Sequence, residues 1–435
     1  MEPNAIKYQE DLIISPVRNA WFLVESQTAN AHYLFNNESC ELGRLPQQPN
    51  QNIIEKIIND KIVVAKPFFS PQNYLQRKKA PRLMLYLTSD CNLKCIYCHC
   101  NSGDRKSEMA ESTAIDVIKK YVKHVGDVSE STDKIEITFM GGGESFLRIN
   151  TIKKIVQYIE SIGINGEYVL VTNGTVGNTK EWEWLISKDF RITISADGPP
   201  LVQNKQRGFV NGKKKTSDFI KNRFALLSQN GASITVRSTV MDGSHEAIES
   251  ICEYFEQFPC VKTHHLEPVS FAGRASSINL DEARFYSDFF KNYAPYLYEN
   301  PARYKSAWFK PFKKSDGFCG AVYYNIVVTH DGYVSLCSEV DSSMLLSKYG
   351  KNYIASHINE DNPFLSTKAF EFANKNSIEN VDICKNCIVR YKCGGGCYIK
   401  RDRDFQDNKS FFEAYCKFVA ILNMSYLIGT YENAQ

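Results

Sequence analysis

The pattern of apolar and polar positions divides the chain near residue 77. Before that point lie three short apolar stretches, one helix-like segment and one strand-like segment: Leu12–Ile14, Trp21–Val24, Tyr33–Phe35, Asn52–Asn59 and Lys61–Ala65. Short strands combined with a single helix are typical of a small α+β unit. We therefore predict an N-terminal α+β domain over residues 1–76, joined onward by a basic, proline-bounded linker from Pro71 to Pro81.

Beyond residue 77, strand-like segments alternate with segments of helical period. The predicted strands are Arg82–Thr88, Lys134–Phe139, Glu167–Thr172, Arg191–Ala196, Ser233–Thr239 and Lys262–Pro268. The predicted helices include Ser112–His124, Thr151–Ile162, Thr216–Gln229 and His245–Phe258, and an aromatic-rich helix is expected over Phe411–Tyr431. This alternation predicts an α/β fold, a partial (β/α)6 barrel over residues 77–300, whose chemistry lies at the carboxyl ends of the strands.

Composition narrows the class of protein. The formal net charge of +3 gives no global field for nucleic acid or an anionic membrane, so we expect neither as a partner. No apolar run is long enough for a membrane span, and the start of the chain lacks the pattern of a secretory signal. We therefore expect a cytoplasmic protein. Its 14 cysteines are then better explained as metal ligands than as disulfides.

The first cysteine group, Cys91, Cys95 and Cys98, has the spacing C-x3-C-x2-C just after the first strand. Thiolates are the usual ligands of iron–sulfur clusters. Three of them leave the fourth iron of a cubane open to a small molecule. A zinc site, completed by His99 or Cys100, is the alternative that the spacing leaves open.

Polar and glycine residues follow the next strands. Gly142–Glu144 comes after the second, Asn173 after the third and Asp197 after the fourth. Because parallel strands end at one edge of a sheet, we expect these residues to lie near the first cysteine group.

The loop CNLKCIYCHC, with the aromatic Tyr97 before its third cysteine, resembles the cluster loop of the radical S-adenosylmethionine (SAM) superfamily. The segment Phe139–Ser145 is similar to that family's GGEP motif, with Ser145 in place of proline. The resemblance covers residues 80 to 300 and implies a SAM-binding [4Fe–4S] cluster on the three cysteines. It also implies SAM contacts from Gly142, Gly143, Glu144, Asn173, Ser195, Asp197, Arg207 and Arg237. For the two arginines, a surface charge or a structural ion pair stays open.

A second cysteine group follows residue 301. Its spacings, C-x12-G-x4-C and then C-x2-C-x5-C-x3-C, resemble a SPASM domain, which we place at residues 301–435. The resemblance implies two auxiliary [4Fe–4S] clusters, and so three clusters in all. The distal one would be held by Cys384, Cys387, Cys393 and Cys416, and the nearer one by Cys319, Cys337 and Cys397. The nearer cluster then lacks a fourth cysteine, which leaves its site to substrate, water or a carboxylate such as Asp316. A zinc ribbon on the C-x2-C-x5-C-x3-C residues is the alternative.

The family resemblance implies a radical SAM oxidoreductase that abstracts hydrogen from an unreactive C–H bond and draws electrons from a flavodoxin or ferredoxin. SPASM relatives mostly modify peptides. Sulfatase maturases have aspartate directly after the second hairpin cysteine, whereas here Ser338 and Glu339 follow Cys337, which argues against sulfatase maturation. The N-terminal unit is similar to domains that bind the leader of a ribosomally made precursor peptide as an added strand. A structural extension is the alternative.

The preferred chemistry is an intramolecular side-chain crosslink, C–C or ether, as in darobactin-type enzymes. Thioether formation and peptide epimerisation are alternatives, and Cys100, Cys252 or Cys260 would serve as hydrogen donor in the latter. A small-molecule dehydrogenase and a non-catalytic metal scaffold are alternatives of other classes. The proposed general bases are Glu267, Glu339 and Asp341.

Overall fold

The fold is given by a computed structural model. It describes residues 6–9, 12–17, 21–26, 31–36, 41–45, 52, 80–129, 134–212, 214–310, 317–321, 324–341, 345, 350–385, 387–407 and 409–433. The predicted strand Lys61–Ala65 and, apart from the helical Asn52, the predicted helix beside it lie outside these residues.

The strands form two sheets. Five antiparallel strands make the first in the order β1-β2-β3-β4-β5: β1 Ile6–Gln9, β2 Leu12–Val17, β3 Trp21–Ser26, β4 Ala31–Asn36 and β5 Glu41–Leu45. The second sheet contains β6 Arg82–Leu85, β7 Lys134–Phe139, β8 Asn165–Thr172, β9 Arg191–Ser195, β10 Ile234–Val240, β11 Val261–Pro268, β12 Tyr304–Lys305, β13 Asn325–Val328, β14 Tyr333–Ser335 and β15 Ile354–His357.

The helices of the described residues are α1 Glu111–Val128, α2 Ile149–Ser161, α3 Thr179–Ser187, α4 Pro200–Gln206, α5 Thr216–Gln229, α6 His245–Glu256, α7 Glu282–Glu299, α8 Gly350–Tyr353, α9 Thr367–Asn376, α10 Asp382–Lys385, α11 Arg390–Cys393, α12 Tyr398–Asp407 and α13 Lys409–Asn433. Short 3-10 turns occupy Ser145–Arg148 and Gly273–Ser277. Within the described ranges, no helix combines the length and the apolar character that crossing a bilayer needs.

The second sheet has the order β12-β11-β10-β9-β8-β7-β6-β13-β14-β15, and neighbours from β12 to β13 pair in parallel. The six predicted barrel strands are confirmed, although the first ends at Leu85 rather than Thr88. The α/β prediction is therefore correct, and the carboxyl ends of β6 to β11 share one edge.

Periodic burial explains the helices that cover this sheet. In α1, Ala114, Val117, Ile118, Tyr121 and Val125 are buried at three- and four-residue spacing, the pattern of a helix with one face on a core. The four predicted barrel helices are confirmed, whereas α3 and α4 were not predicted. Pro200 begins α4 at a position where proline's fixed φ suits a first turn.

The chain separates into two compact units. One comprises residues 71–306 and 320–373, with the large sheet; the other comprises residues 1–70, 307–319 and 374–435. Inside the second unit, residues of β3 and β4 share a core with the cysteine-rich segment and α13. Its buried members are Val24, Ala31, Tyr33, Phe35, Ile388, Val389, Ala420, Met424 and Ile428.

Candidate cofactor site at the carboxyl edge of the sheet

The first cysteine group lies on the loop that follows β6. Backbone N–H groups reach its sulfurs: Leu93 donates to Cys91 Sγ at 3.4 Å, and Ser102 donates to Cys98 Sγ at 3.4 Å. Cys98 N–H in turn donates to the carbonyl of Cys95 at 3.2 Å, which closes the loop. N–H donors aimed at sulfur favour the thiolate form.

Residues 206–210 form backbone hydrogen bonds with this loop. Leu93 and Phe209 form an antiparallel bridge. The surrounding backbone hydrogen bonds run from Lys94 N–H to Gly208 O (2.8 Å), Ile96 N–H to Gln206 O (3.0 Å) and Val210 N–H to Asn92 O (3.1 Å). Residues 206–210 therefore act as a short strand that fixes residues 92–96.

The three thiols differ in acidity. Burial raises the pKa of Cys91 to about 12, and the nearby Glu144 adds to the effect. Burial also raises the pKa of Cys95 to about 11, against the opposing charge of Arg207. Burial acts the same way on Cys98, but His99 and the hydrogen bonds from Ser102 outweigh it, so the pKa of Cys98 is lowered.

The glycines after β7 allow the backbone to pass close to the start of the cysteine loop. Gly143 N–H donates to Thr88 O and Glu144 N–H donates to Asp90 O, both at 2.8 Å. A Cβ atom on Gly143 would lie 1.9 Å from the Asp90 oxygen, and one on Gly142 would lie 2.8 Å from the Thr88 oxygen. Only glycine fits this close approach.

The Glu144 carboxylate is buried and bonded within the chain. It accepts from Thr172 Oγ1 at 2.6 Å, from Asn173 N–H at 2.7 Å and from Phe146 N–H at 3.0 Å. Burial raises the pKa of Glu144, although these donors oppose the rise. In this structure Glu144 therefore ties the end of β7 to the end of β8.

Asn173 links the end of β8 to the cysteine loop. Its amide donates to Asn92 Oδ1 at 2.8 Å and lies 3.9 Å from Cys91 Sγ. Asn92 donates in turn to Thr175 Oγ1 at 2.8 Å. The end of β8 and the cysteine loop are thus connected by side-chain amides and hydroxyls, and the role of Asn173 toward SAM stays a prediction.

Arg223, on α5, holds the turn at residues 174–177, which follows β8. Its guanidinium donates to the carbonyls of Gly174 (3.3 Å), Val176 (3.3 Å) and Gly177 (2.9 Å) and lies 4.2 Å from the ring centre of Trp182. Burial lowers its pKa to about 10, which still leaves it charged at neutral pH. Sequence analysis missed Arg223 because no local motif marks a residue that acts on a distant turn.

A buried ion pair stands at the end of β9. Asp197 Oδ2 lies 3.0 Å from Arg207 Nε and accepts from Tyr97 Oη at 2.5 Å, while Thr239 N–H donates to Oδ1 at 3.1 Å. Arg207 Nη1 reaches Cys95 Sγ at 4.0 Å. The ion pair that the sequence left open for Arg207 is therefore present, and it connects β9, β10 and the cysteine loop.

Ser195 and Arg237 are register partners on β9 and β10, and Arg237 is exposed. Ser195 is the last residue of β9, whereas Arg237 lies in the middle of β10. Their role toward SAM stays a prediction.

Four thiols of the second cysteine group come together in the other unit. Cys416, on α13, interacts electrostatically with Cys384, Cys387 and Cys393, which is the set predicted for the distal cluster. Burial raises the pKa of Cys384 and of Cys387 to about 12. Four thiols that interact in this way are a donor set suited to iron–sulfur chemistry, since a bound metal supplies the positive charge that stabilises thiolates.

The predicted ligands of the nearer cluster differ in exposure. Cys319 is exposed and Cys337 is buried. Asp316, the carboxylate suggested for its open site, lies outside the described residues. The grouping of Cys319, Cys337 and Cys397 stays a prediction.

Two of the three proposed bases lie beside the first cysteine loop. The buried hydroxyl of Tyr86 donates to Ser338 O. Cys100 accepts a hydrogen bond from the Gly142 backbone and interacts electrostatically with Asp341 and Glu339. Cys100 therefore lies next to Gly142, in the glycine segment Gly141–Gly143 after β7, and has polar neighbours rather than an apolar setting. These neighbours are Glu339 and Asp341, with Tyr86 close by.

The remaining candidates are elsewhere. Glu267 Oε1 accepts from His265 Nε2 at 2.5 Å near the end of β11. Cys252 and Cys260 are buried in the apolar core, as expected for small hydrophobic residues.

The donor chemistry fits the predicted clusters better than a single ion. Across the part of the chain that the structure describes, no three Cys, His, Asp or Glu side chains converge closely enough to hold one metal ion. A cubane distributes its thiolates over different irons, so its ligands need not converge on a single point.

Comparisons with known proteins agree with this geometry. The family model of the radical SAM superfamily matches residues 85–255. An uncharacterized protein of Methanocaldococcus jannaschii is 35% identical over 151 residues, which are 34% of this chain and 49% of that protein. The chain thus spans about half the length of that relative.

Longer matches come from sulfatase maturases. The cysteine-type anaerobic sulfatase-maturating enzyme of Clostridium novyi is 24% identical over 390 residues, covering 77% of this chain and 95% of that enzyme. The solved structure of anSMEcpe with bound AdoMet and the Cp18Cys peptide superposes with a TM-score of 0.64 at 20% identity, covering 81% of this chain and 100% of that one. Over residues 85–255 the chain is thus similar to the radical SAM superfamily, and over most of its length it is similar to the sulfatase-maturating enzymes.

Proposed function

We propose that the chain is a radical SAM maturase that forms an intramolecular side-chain crosslink, C–C or ether, in a ribosomally made precursor peptide. The observation that supports this most is the combination of a radical SAM domain with a second, separate group of four interacting thiols. Sulfatase-maturating relatives along most of the chain, and the peptide bound to anSMEcpe, support a peptide substrate.

In this proposal Cys91, Cys95 and Cys98 hold the cluster that binds SAM. When bound, that cluster and SAM would supply the radical chemistry that removes a hydrogen atom from the substrate. The chain's own task is to hold and shield the reactants. The close approach at Gly142 and Gly143, together with the Asn173, Ser195, Asp197, Arg207 and Arg237 positions, would bind and orient SAM.

The auxiliary clusters would accept the electron that crosslinking releases. Cys384, Cys387, Cys393 and Cys416 would hold the distal cluster, and Cys319, Cys337 and Cys397 the nearer one, giving three [4Fe–4S] clusters. The electron that starts each cycle would come from a flavodoxin or ferredoxin in the cytoplasm.

Asp341 and Glu339 are the preferred bases for the proton that leaves the substrate. Both lie near Cys100 beside the glycine segment, whereas Glu267 is bonded to His265. A base must be within hydrogen-bond reach of the proton that it removes. Replacing Asp341 by Asn should therefore lower crosslinking more than replacing Glu267 by Gln.

The N-terminal sheet is the proposed site for the leader peptide. Its strand order leaves β1 and β5 as the two edges of the five-stranded sheet. An edge strand presents unpaired N–H and C=O groups to an extended peptide. Precursor binding would then add a strand at one of these edges.

Two alternatives have specific support. Cys100, with its polar neighbours, is the thiol best placed to return a hydrogen atom to a peptide radical, as epimerisation requires. Thioether formation would use the open site of the nearer auxiliary cluster. A small-molecule dehydrogenase is the alternative of a different class.

The test is the mass and fragmentation of a precursor peptide encoded beside this gene after anaerobic co-expression. Crosslinking predicts the loss of two hydrogens and blocked fragmentation across a short segment, and a Cys95→Ala chain serves as the inactive control. An unchanged mass would contradict the crosslink, and deuterium gained from heavy water would then indicate epimerisation. The N-terminal proposal is tested separately by the affinity of the leader alone.

A further inference from the structure

The outer side of the first cysteine loop has features that are typical of a protein contact surface. Three large apolar side chains are unusually exposed there: Leu201 at 87%, Val210 at 58% and Ile96 at 38%. Ile96 stands between Cys95 and Cys98, and hydrogen bonds join its segment to residues 206–210. Apolar side chains exposed together, rather than singly, mark interaction sites.

The segment that carries Leu201 and Val210 is rich in basic residues. Residues 201–218 contain four lysines and one arginine against a single acidic residue, Asp218. The arginine, Arg207, is paired internally with Asp197, so it contributes little to the surface. Lys205, Lys214 and Lys215 are exposed.

Lys205 and Lys214 can be located relative to the apolar residues. Leu201 and Lys205 are four residues apart on α4 and so share one face of that helix. Lys214 Nζ lies 5.6 Å from the ring centre of Phe219, which packs at 5.1 Å against Phe209, the neighbour of Val210. We call this surface the cluster-loop face; it consists of Ile96, Leu201, Lys205, Val210, Lys214 and Lys215.

We propose that the cluster-loop face docks the acidic one-electron carrier protein that reduces the enzyme. The inference rests on the proposed function, because it requires a cluster on Cys91, Cys95 and Cys98. In the docked complex one electron leaves the reduced carrier and enters that cluster, and no bond or proton is transferred. The carrier contacts the loop of the three cysteines directly, which gives the electron a short path.

The composition of the face suits such a partner. Electron-transfer complexes are small and short-lived, and they need a few apolar contacts and a charged rim rather than a large interface. Basic rim residues attract an acidic carrier and raise the rate of encounter in a salt-dependent way. The rim here is basic on the side of α4 and of the turn after Val210.

The test reverses the rim charge in the triple variant Lys205→Glu, Lys214→Glu, Lys215→Glu. A matched control, Lys123→Glu, Lys262→Glu, Lys291→Glu, changes three exposed lysines elsewhere in the same unit by the same charge. The reductant is flavodoxin, and stopped-flow absorbance follows the oxidised cluster under anaerobic conditions. Binding of oxidised flavodoxin is measured separately by the anisotropy of its flavin fluorescence, which needs no cluster.

At low ionic strength we expect the rim variant to bind flavodoxin at least about tenfold more weakly than the wild type and to be reduced by it at least about tenfold more slowly. The difference between the two proteins should disappear in high salt. The control should behave as the wild type. Dithionite needs no docking, so SAM cleavage driven by dithionite should be equal in all three proteins.

Equal flavodoxin binding by the rim variant and the wild type would overturn the proposal. So would displacement of flavodoxin by the precursor peptide together with a peptide-processing defect under dithionite, since the face would then belong to the substrate. Failure of SAM cleavage in all three proteins with dithionite would instead count against the proposed function, while the anisotropy measurement would still decide the docking.

Discussion

At the scale of single residues, the buried Asp197 carboxylate has three partners around the cysteine loop. It pairs with Arg207 and accepts from Tyr97 and Thr239. Asp197→Asn leaves the buried guanidinium without its counter-charge, which should lower the free energy of unfolding by about 3–5 kcal/mol. Urea denaturation measures it. Asp116→Asn, which removes only an exposed i,i+4 pair, should cost at most about 0.5 kcal/mol; equal effects would contradict the buried pair.

Two glycines offer a matched comparison. A Cβ on Gly143 would lie 1.9 Å from the Asp90 oxygen, whereas a Cβ on Gly126 in α1 meets nothing within 4 Å. Gly143→Ala should therefore cost about 1–3 kcal/mol of unfolding free energy and weaken SAM binding. Gly126→Ala should stabilise the protein by about 0.5–1 kcal/mol, because alanine favours the helix. Thermal denaturation and equilibrium dialysis of SAM measure both, and unimpaired SAM binding by the Gly143 variant would remove the argument for a close backbone approach.

His264 predicts a pH dependence of stability. Ser238 Oγ donates to Ala196 O and accepts a hydrogen bond from His264 Nε2 at 2.9 Å. The His264 ring is fully buried. Burial, with Arg303 and His265, lowers the pKa of His264 well below 6.5. The unfolded chain then binds the extra proton, so this contribution to stability is present above about pH 6.5 and is lost as pH falls further. Urea denaturation between about pH 8 and 5 measures this contribution. Below about pH 6.5, the free energy of unfolding of His264→Gln should fall less steeply than that of the wild type, by up to about 1.4 kcal/mol per pH unit. Parallel curves for the two proteins would show that the ring is not held neutral.

At the scale of elements, α5 holds the turn after β8 through one side chain. Arg223 donates to three carbonyls of residues 174–177 from a planar fork that lysine cannot reproduce. Arg223→Lys should weaken SAM binding roughly tenfold, equivalent to about 1.4 kcal/mol, and speed amide exchange in this turn. Arg284→Lys, at an exposed site on α7, is the control. Unchanged exchange in the turn would show that Arg223 does not support it.

The elements also show what can be predicted from sequence. Period-two and helical patterns locate β6 to β11 and their long helices, because burial imposes those periods. Residues directly after strands, such as Asn173 and Asp197, follow from the parallel topology alone. The contacts of Glu144 and Asp197 with the chain itself do not follow, since they depend on which strands become neighbours. Short helices such as α4 escape because seven residues carry too little periodicity.

At the scale of the whole molecule, the two cysteine groups should load separately. Three [4Fe–4S] clusters predict about twelve irons per chain. Cys416→Ala removes one of the four thiols gathered in the second unit and should lower iron to about eight, while dithionite-driven SAM cleavage persists at the first cluster. Iron and sulfide analysis with electron paramagnetic resonance measures this.

Cys260→Ala, at a buried thiol away from both groups, is the control and should keep the wild-type iron content. Loss of SAM cleavage in the Cys416 variant would contradict separate loading.

The shared core of the second unit governs how its N-terminal part can be tested. Val24, Tyr33 and Phe35 are buried against Val389 and Met424. Deleting residues 1–76 would expose that core, so lost activity in the deletion would not identify a leader site. Point substitutions at exposed sheet positions such as Arg44 test the same idea without opening the core.

That core also sets an order of events during synthesis. Strands β3 and β4 leave the ribosome early, yet the residues they pack against lie between 388 and 428. Residues 80–306 can meanwhile pair strands β6 to β12 from their own segment. The second unit must therefore wait for the last part of the chain, and iron can enter its four-thiol group only after translation has passed Cys416. A message cut short before that codon would yield a chain with the first cysteine loop in place and its early strands exposed to proteolysis.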